Sequence, residues 1–296
     1  MVLLHWKKPL HSWVDRLGDR DFEIVVRFVL IALVILPVLP DKDIGPYAAF
    51  NPFTAWFMVV LIVGINLVGF IAFRFAGARA GGWLAGLLGG LVSSTATTIS
   101  YAGLSKREPD LGPIAALVIL VASAVVYGRV LVELVIVAPD LATSMVAPAV
   151  TFAAILLGLS VAAYRSVRSK TDMELPEREN PARIRQALLF AALYVIILFG
   201  VAAARELVGS EAVYAVAFIS GLTDVDALTL SVAQLYSGGE TPGFDAWRVI
   251  FLATLSNLLF KIVVASFLGS PELRRWMLGT GAVAMVAGIG VLLLWP

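Results

Sequence analysis

The chain of 296 residues is 60% hydrophobic and 15% charged, and its mean hydropathy is +0.92. Soluble proteins carry about 25% charged residues, so this composition indicates an integral membrane protein and excludes an ordinary soluble domain. A net charge of +1 gives no sign of nucleic-acid binding, and the absence of cysteine excludes disulfides and thiolate metal sites.

Residues 1–20, MVLLHWKKPLHSWVDRLGDR, form a basic amphipathic stretch. Its apolar run is too short for a signal peptide and lacks a small-residue cleavage site. Trp6 and Trp13 are suited to the membrane–water interface. We therefore expect an N-terminal helix that lies along the membrane surface.

Nine apolar segments follow, each close to the roughly 20 residues that cross the hydrocarbon layer. They cover approximately residues 23–40, 52–76, 82–104, 113–138, 143–164, 184–207, 211–235, 247–269 and 274–295. The polar loop 165–183 divides a first transmembrane half, 21–164, from a second, 184–296.

The two halves carry related motifs. GLVSSTATTISYAGL at 90–104 and GLTDVDALTLSVAQL at 221–235 are identical at 7 of 15 positions, at a constant offset of 131 residues. Asn-Pro pairs precede both motifs, and ASAVVYGRVLVELVIVAP after the first aligns with LSNLLFKIVVASFLGSP after the second. We infer that the four segments in 52–164 are repeated as 184–295, with the first segment left over.

The distribution of Lys and Arg tests the topology, because cytoplasmic loops are enriched in both. Nine full spans with the N-terminus inside place 9 basic residues inside and 10 outside. If the segments 82–104 and 211–235 instead enter and leave the membrane on the same side, 16 basic residues lie inside and 3 outside. This result favours re-entrant motif segments and inverted repeats, a plan typical of transporters.

The motifs are the candidate binding site. Positions i and i+2 of a continuous helix point in different directions, so Asp224 and Asp226 could share a ligand only where the helix is broken. We expect the breaks at Ser93–Thr95 and Thr223–Asp226, where glycines such as Gly90 and Gly221 adjoin. Carboxylates inside a membrane are costly and usually functional.

Hydroxyl groups and one amide complete this site, although Ser and Thr also serve close helix packing. The candidate substrate- or ion-binding residues are Asp224, Asp226, Thr223, Ser93, Ser94, Thr95, Thr97, Thr98 and Asn257, with Asp224 and Asp226 as metal ligands. Asn66 is interpreted as a packing residue. No catalytic residue is assigned.

Three further charges are candidates for charge coupling: Lys261, Arg129 and Glu133. Lys261 is one helical turn from Asn257, and the alignment places it opposite Gly128, next to Arg129. Arg129 and Glu133 are spaced i, i+4 and could neutralise each other. Lys261 could compete with the aspartates during transport, or it could form a static ion pair.

Oxygen donors suit hard cations such as Mg²⁺, Ca²⁺, Na⁺ or H⁺. The cationic Arg129 and Lys261 keep an anion open as the alternative ligand. An enzyme is not expected, because the sequence has no nucleophile–base pair, phosphate-binding glycine loop or metal-binding His pair.

The segments GGLVSSTATTISYAGLSKREPDL, FISGLTDVDALTLSVAQL and VLPDKDIGPYAAFNP resemble a known family. It is the uncharacterised transmembrane domain that follows MgtC/SapB domains in bacterial and archaeal membrane proteins. The resemblance implies a link to magnesium or general ion homeostasis. It also implies an MgtC-like domain as a possible partner, which these residues do not contain.

The sequence thus predicts an all-α polytopic protein of a prokaryotic inner membrane. It has two inverted four-segment repeats, broken or re-entrant motif helices, and one extra N-terminal helix. We expect a transporter or channel for a hard inorganic cation, with no cofactor beyond a bound cation. The expected partners are the lipid bilayer, the ion, and an MgtC-like domain or a second copy. The alternatives are a sensor or scaffold for an MgtC-like domain, and an anion transporter.

The re-entrant arrangement predicts the side on which residue 106 lies. With Lys106→Cys in this naturally cysteine-free chain, a membrane-impermeant maleimide should label the thiol from the cytoplasmic side only. Labelling from the outer side only would establish nine full spans instead.

Overall fold

The computed structural model describes residues 19–44, 50–76, 79–165, 173–174, 184–209, 211–237 and 245–295. The predicted surface helix, up to residue 18, and most of the polar loop 165–183 lie outside these residues.

The described residues are almost entirely helical, as the composition indicates. The α-helices of these residues number ten: α1 Asp19–Leu30, α2 Pro52–Ala76, α3 Gly82–Arg107, α4 Gly112–Val137, α5 Pro139–Arg165, α6 Ile184–Leu207, α7 Ala212–Thr223, α8 Asp226–Ser237, α9 Ala246–Leu268 and α10 Pro271–Leu294. Two short strands, β1 Arg79–Ala80 and β2 Met173–Glu174, pair antiparallel with Arg79 opposite Glu174.

Six helical stretches among the described residues are long and apolar enough to cross a membrane. They are Pro52–Ala72, Pro109–Val137, Pro139–Arg165, Leu188–Leu207, Ala246–Leu268 and Pro271–Leu294. Large apolar side chains also face outward, and Ile196, Phe267 and Val286 are 67%, 76% and 74% exposed. Six helices of this length, with apolar side chains facing outward as lipid contact requires, indicate a multi-pass membrane protein.

The other three predicted segments are interrupted. The first changes from α-helix to a π-helix at Ile31–Ile35 and then to a 3₁₀ turn at Leu36–Val38. Trp56 Nε1 of α2 donates to the Ile31 carbonyl at 3.0 Å and so satisfies a backbone group at this change. The remaining two segments are the motif helices, α3 and α7–α8.

α4 and α9 form the centre of the bundle. In the most apolar stretch of each helix, 83% of the residues of α4 and 72% of those of α9 are buried. Tyr127 of α4, Phe152 of α5 and Phe251 of α9 pack together with ring centroids 5.4 to 6.0 Å apart. The two halves therefore share one core.

Both motif helices contain an extended residue at the predicted position. Ser93 has φ −169° and ψ 108° inside α3, and Asp224 has φ −152° and ψ 129° between α7 and α8. The two residues are 131 positions apart, the same offset that aligns the motifs. The expected breaks at Ser93–Thr95 and Thr223–Asp226 are therefore found.

The glycines before the breaks have a different role from the one expected. Within the described residues Gly209 alone has positive φ, so Gly90 and Gly221 do not need glycine's conformational freedom. A Cβ atom on Gly90 would lie 2.7 Å from the Ala122 carbonyl oxygen, and one on Gly221 would lie 2.4 Å from that of Ala253. These glycines let the motif helices pack directly on the backbones of α4 and α9.

This packing corrects the sequence alignment of the helices that follow the motifs. Ala122 and Ala253 are again 131 positions apart. At this offset Lys261 corresponds to Val130, whereas the sequence alignment places it opposite Gly128.

Gly221→Ala should destabilise the protein, because the new methyl group would overlap the Ala253 carbonyl and push α7 away from α9. Overpacking of this kind costs about 1–3 kcal/mol. Thermal unfolding in detergent should show a lower midpoint.

Gly279→Ala is the matched control, since nothing lies within 4 Å of a Cβ atom there. Equal midpoints for the two variants would contradict the close-packing role of Gly221.

Candidate functional site

A polar cavity of about 510 Å³ lies where the two breaks meet. Its lining combines residues of both motifs with residues of four neighbouring helices, α2, α4, α6 and α9. The lining residues are Ile62, Val63, Asn66, Val92, Ser93, Ser94, Thr95, Ala96, Ile99, Ser100, Val126, Arg129, Phe190, Thr223, Asp224, Val225, Asp226 and Asn257.

The second half of each motif begins with the same type of helix cap. The Ala96 amide donates to Ser93 Oγ at 3.2 Å, and the Ala227 amide donates to Asp224 Oδ1 at 2.8 Å. Each cap satisfies an amide that the break leaves without a helical partner. A serine in the first motif thus occupies the place of an aspartate in the second.

The first half of each motif ends with carbonyl groups that side chains from other helices satisfy. Arg129 Nη1 of α4 donates to the carbonyls of Gly90 and Leu91 at 3.4 and 3.2 Å. Asn257 Nδ2 of α9 donates to the Gly221 carbonyl at 3.0 Å. In a membrane, where water cannot fill this role, such donors make a broken helix possible.

Arg129 also joins the two motifs. Its Nη2 lies 2.6 Å from Asp226 Oδ2, and the two side chains are 7% and 16% exposed. The sequence suggested mutual neutralisation of Arg129 and Glu133, but the structure gives Arg129 a different partner. The carbonyls of Gly90 and Leu91 and the Asp226 carboxylate hold the guanidinium at the break, where it can bond both motifs at once.

Glu133 and Lys261 lie outside the cavity lining and are 0% and 1% exposed. The carboxyl group of Glu133 lies beside the Asp226 carboxylate, and neither of its oxygens accepts a hydrogen bond from a donor among the described residues. Glu133 interacts electrostatically with Asp226, Arg129 and Asp224, and Lys261 interacts with Asp226 and Arg129. The charged residues proposed from the sequence thus form one group around Asp226.

The predicted hydroxyl ligands divide into two sets. Ser93, Ser94, Thr95 and Thr223 line the cavity. Thr97 and Thr98 lie outside this lining, and their hydroxyls donate to the Ser93 and Ser94 carbonyls at 2.7 and 2.9 Å. These two hydroxyls support the start of the second half-helix.

Asn66 of α2 is a cavity residue that the sequence interpretation treated as packing. It lines the cavity, and its Oδ1 is buried without a hydrogen-bond partner among the described residues. The available signal was its amide in an otherwise apolar span, VVLIVGINLVGF, since polar groups are costly in lipid. Ser100 is a second polar lining residue outside the predicted set.

The chemistry of the lining is that of oxygen donors. No group of three or more His, Cys, Asp and Glu side chains suited to a metal is found within the described residues. A cation here would therefore bind Asp224 and Asp226 together with hydroxyl, amide and water oxygens. Mg²⁺ binds in this manner, through one or two carboxylates and several retained waters.

These features define a multi-pass helical membrane protein with a polar cavity at two broken helices. The chain belongs to the DUF4010 family, described as a domain of unknown function, whose model matches residues 60–269. A protein of Aquifex aeolicus (strain VF5), described as an uncharacterized protein, is 28% identical over 213 residues. That similarity covers 72% of this chain and 93% of the relative. No solved structure gives a significant match.

The comparisons agree with the predicted resemblance to an uncharacterised membrane domain. The implied association with MgtC-like domains stays a prediction.

Asn257→Ala should destabilise the second break, because it removes the donor to the Gly221 carbonyl. A buried polar group without a partner costs about 1–3 kcal/mol. We expect a lower thermal unfolding midpoint in detergent.

Ser123→Ala is the control, since this buried hydroxyl donates within its own helix to the Ile119 carbonyl at 2.8 Å. If the unfolding midpoint of the Asn257 variant falls no further than that of the Ser123 variant, the capping role of Asn257 is excluded.

Proposed function

We propose that this protein is a transporter for a hard inorganic cation, and that a partly hydrated divalent ion such as Mg²⁺ is its substrate. The observation that carries the proposal is the meeting of the two breaks, which brings the Asp224 carboxylate and the Ser93–Thr95 hydroxyls to one cavity. A broken backbone of this kind lines substrate and ion sites in membrane transporters.

The donor set favours a cation. Asp224 and Asp226 supply carboxylates, and Asn66 supplies an amide oxygen without a protein partner among the described residues. Hard divalent ions prefer such oxygens, and Mg²⁺ keeps several waters when a site offers few carboxylates. The cavity volume of about 510 Å³ leaves space for those waters.

The donor groups that could bind an anion already donate to other groups of the protein. Arg129 binds Asp226 and two backbone carbonyls. Ser93 and Asp224 accept hydrogen bonds from backbone amides at the start of the helix that follows each break. An anion would have to displace these partners, so anion transport is the weaker alternative.

The contacts between helices support an internal duplication. α3 packs on α4 and on α9, and α8 of the second motif packs on α9 and on α4. Each motif thus contacts the helix that follows it and the corresponding helix of the other half. We propose that the halves are inverted repeats in a prokaryotic inner membrane, with re-entrant motif segments placing the basic loops in the cytoplasm.

Transport can be measured with purified protein in liposomes that contain a Mg²⁺-sensitive dye. Wild type should carry Mg²⁺, and Asp224→Asn should reduce the rate at least tenfold because it removes one of the two carboxylates that line the cavity. Asp226→Asn should reduce it similarly. Asp140→Asn, at the exposed start of α5, is the control and should retain the wild-type rate.

The other outcomes distinguish the alternatives. Mg²⁺ flux that survives the double change at Asp224 and Asp226 would reject this site. Sulfate or chloride flux without Mg²⁺ flux would establish an anion transporter. No movement of any tested ion, with tight binding of an MgtC-like domain, would establish a scaffold or sensor.

A further inference from the structure

We propose that Arg129 takes the place of the cation at Asp226 when the site is empty, and that it moves to Glu133 when the cation binds. This inference rests on the proposed function and describes how the same site is emptied and refilled.

The first observation is the position of the guanidinium. Arg129 Nη2 lies 2.6 Å from Asp226 Oδ2 at the cavity wall, where a transported cation would have to bind. A guanidinium bound to a carboxylate through a short hydrogen bond gives that carboxylate the same charge compensation that an ion would give. In the described structure Arg129 itself therefore neutralises Asp226.

The second observation is a buried carboxyl group within reach that receives no hydrogen bond. Glu133 follows Arg129 by one helical turn on α4, is 0% exposed, lies beside the Asp226 carboxylate, and accepts no hydrogen bond at either oxygen from a donor among the described residues. Arg129 Nε is also buried without a hydrogen-bond partner there. Residues spaced i, i+4 lie on one helix face. A rotation of the guanidinium that leaves Nη1 on the Gly90 and Leu91 carbonyls can therefore turn Nη2 or Nε from Asp226 toward Glu133.

The surrounding charges are consistent with this exchange. Glu133 interacts electrostatically with Asp226, Arg129 and Asp224, and Lys261 of α9 interacts with Asp226 and Arg129. In the empty form Arg129 neutralises Asp226 and Glu133 lacks a donor. In the loaded form a divalent ion faces Asp224 and Asp226, and Arg129 supplies the missing donor to Glu133.

The exchange has a consequence for transport. An empty site whose Asp226 carboxylate is already paired can change its exposure across the membrane without carrying an ion, because that carboxylate is not moved through lipid as an unpaired charge. The transporter should therefore perform net transport and not only one-for-one ion exchange.

A binding cycle with Mg²⁺ as the probe tests the proposal. Isothermal titration in detergent should give a Kd at least tenfold higher for Glu133→Gln, because the displaced guanidinium loses its acceptor. Arg129→Gln should lower the Kd at least tenfold, because the internal competitor is gone. The double variant should bind as Arg129→Gln does, since Glu133 acts only through Arg129. Glu108→Gln, at an exposed position, is the control.

Additive effects in the double variant would overturn the exchange, because they would show that Glu133 acts directly on the ion. Size-exclusion chromatography and the thermal unfolding midpoint verify folding. If Arg129→Gln does not fold, the Mg²⁺ Kd of Glu133→Gln is the deciding measurement. A Kd equal to that of the wild type would then overturn the proposal. Wild-type protein that neither binds nor carries Mg²⁺ would instead refute the proposed function, and this inference with it.

Discussion

The site depends on one side chain, Arg129, which makes a broken membrane helix stable and joins it to the second motif. Its guanidinium donates to the Gly90 and Leu91 carbonyls and to Asp226. Each unsatisfied backbone group inside a bilayer costs several kcal/mol, so a break requires donors of this kind. Asn257 does the same for the second motif with a neutral amide. The two breaks are therefore similar in backbone and different in charge, and the aspartates of the second motif balance the arginine that serves the first.

Much of this arrangement could be predicted from local sequence. The constant offset between the motifs and the two aspartates spaced i, i+2 predicted where the helices break, since carboxylates inside a membrane are costly and could share a ligand only at a break. The role of Gly90 and Gly221 could not be read in the same way. A glycine permits both a break and a close helix contact, and only the positions of Ala122 and Ala253 show that packing is the reason.

The long-range ion pair could not be predicted from the sequence for a related reason. The spacing of Arg129 and Glu133 allows a local ion pair, but the partner 97 residues away, Asp226, is the one that the fold brings to the guanidinium. Asn66 was underestimated because a lone amide in a span fits packing and binding equally well. Its unpartnered oxygen at the cavity distinguishes the two possibilities. Sequence patterns thus located the polar centre, whereas its charge pairing required the tertiary structure.

The most direct test of a cation site at these breaks is a structure determined with Mn²⁺ by anomalous scattering. We expect a peak in the cavity within coordination distance, on the order of 2 Å, of a carboxylate oxygen of Asp224 or Asp226. An anion bound beside Arg129, or Mn²⁺ found only at the protein surface while the cavity contains water, would contradict the account.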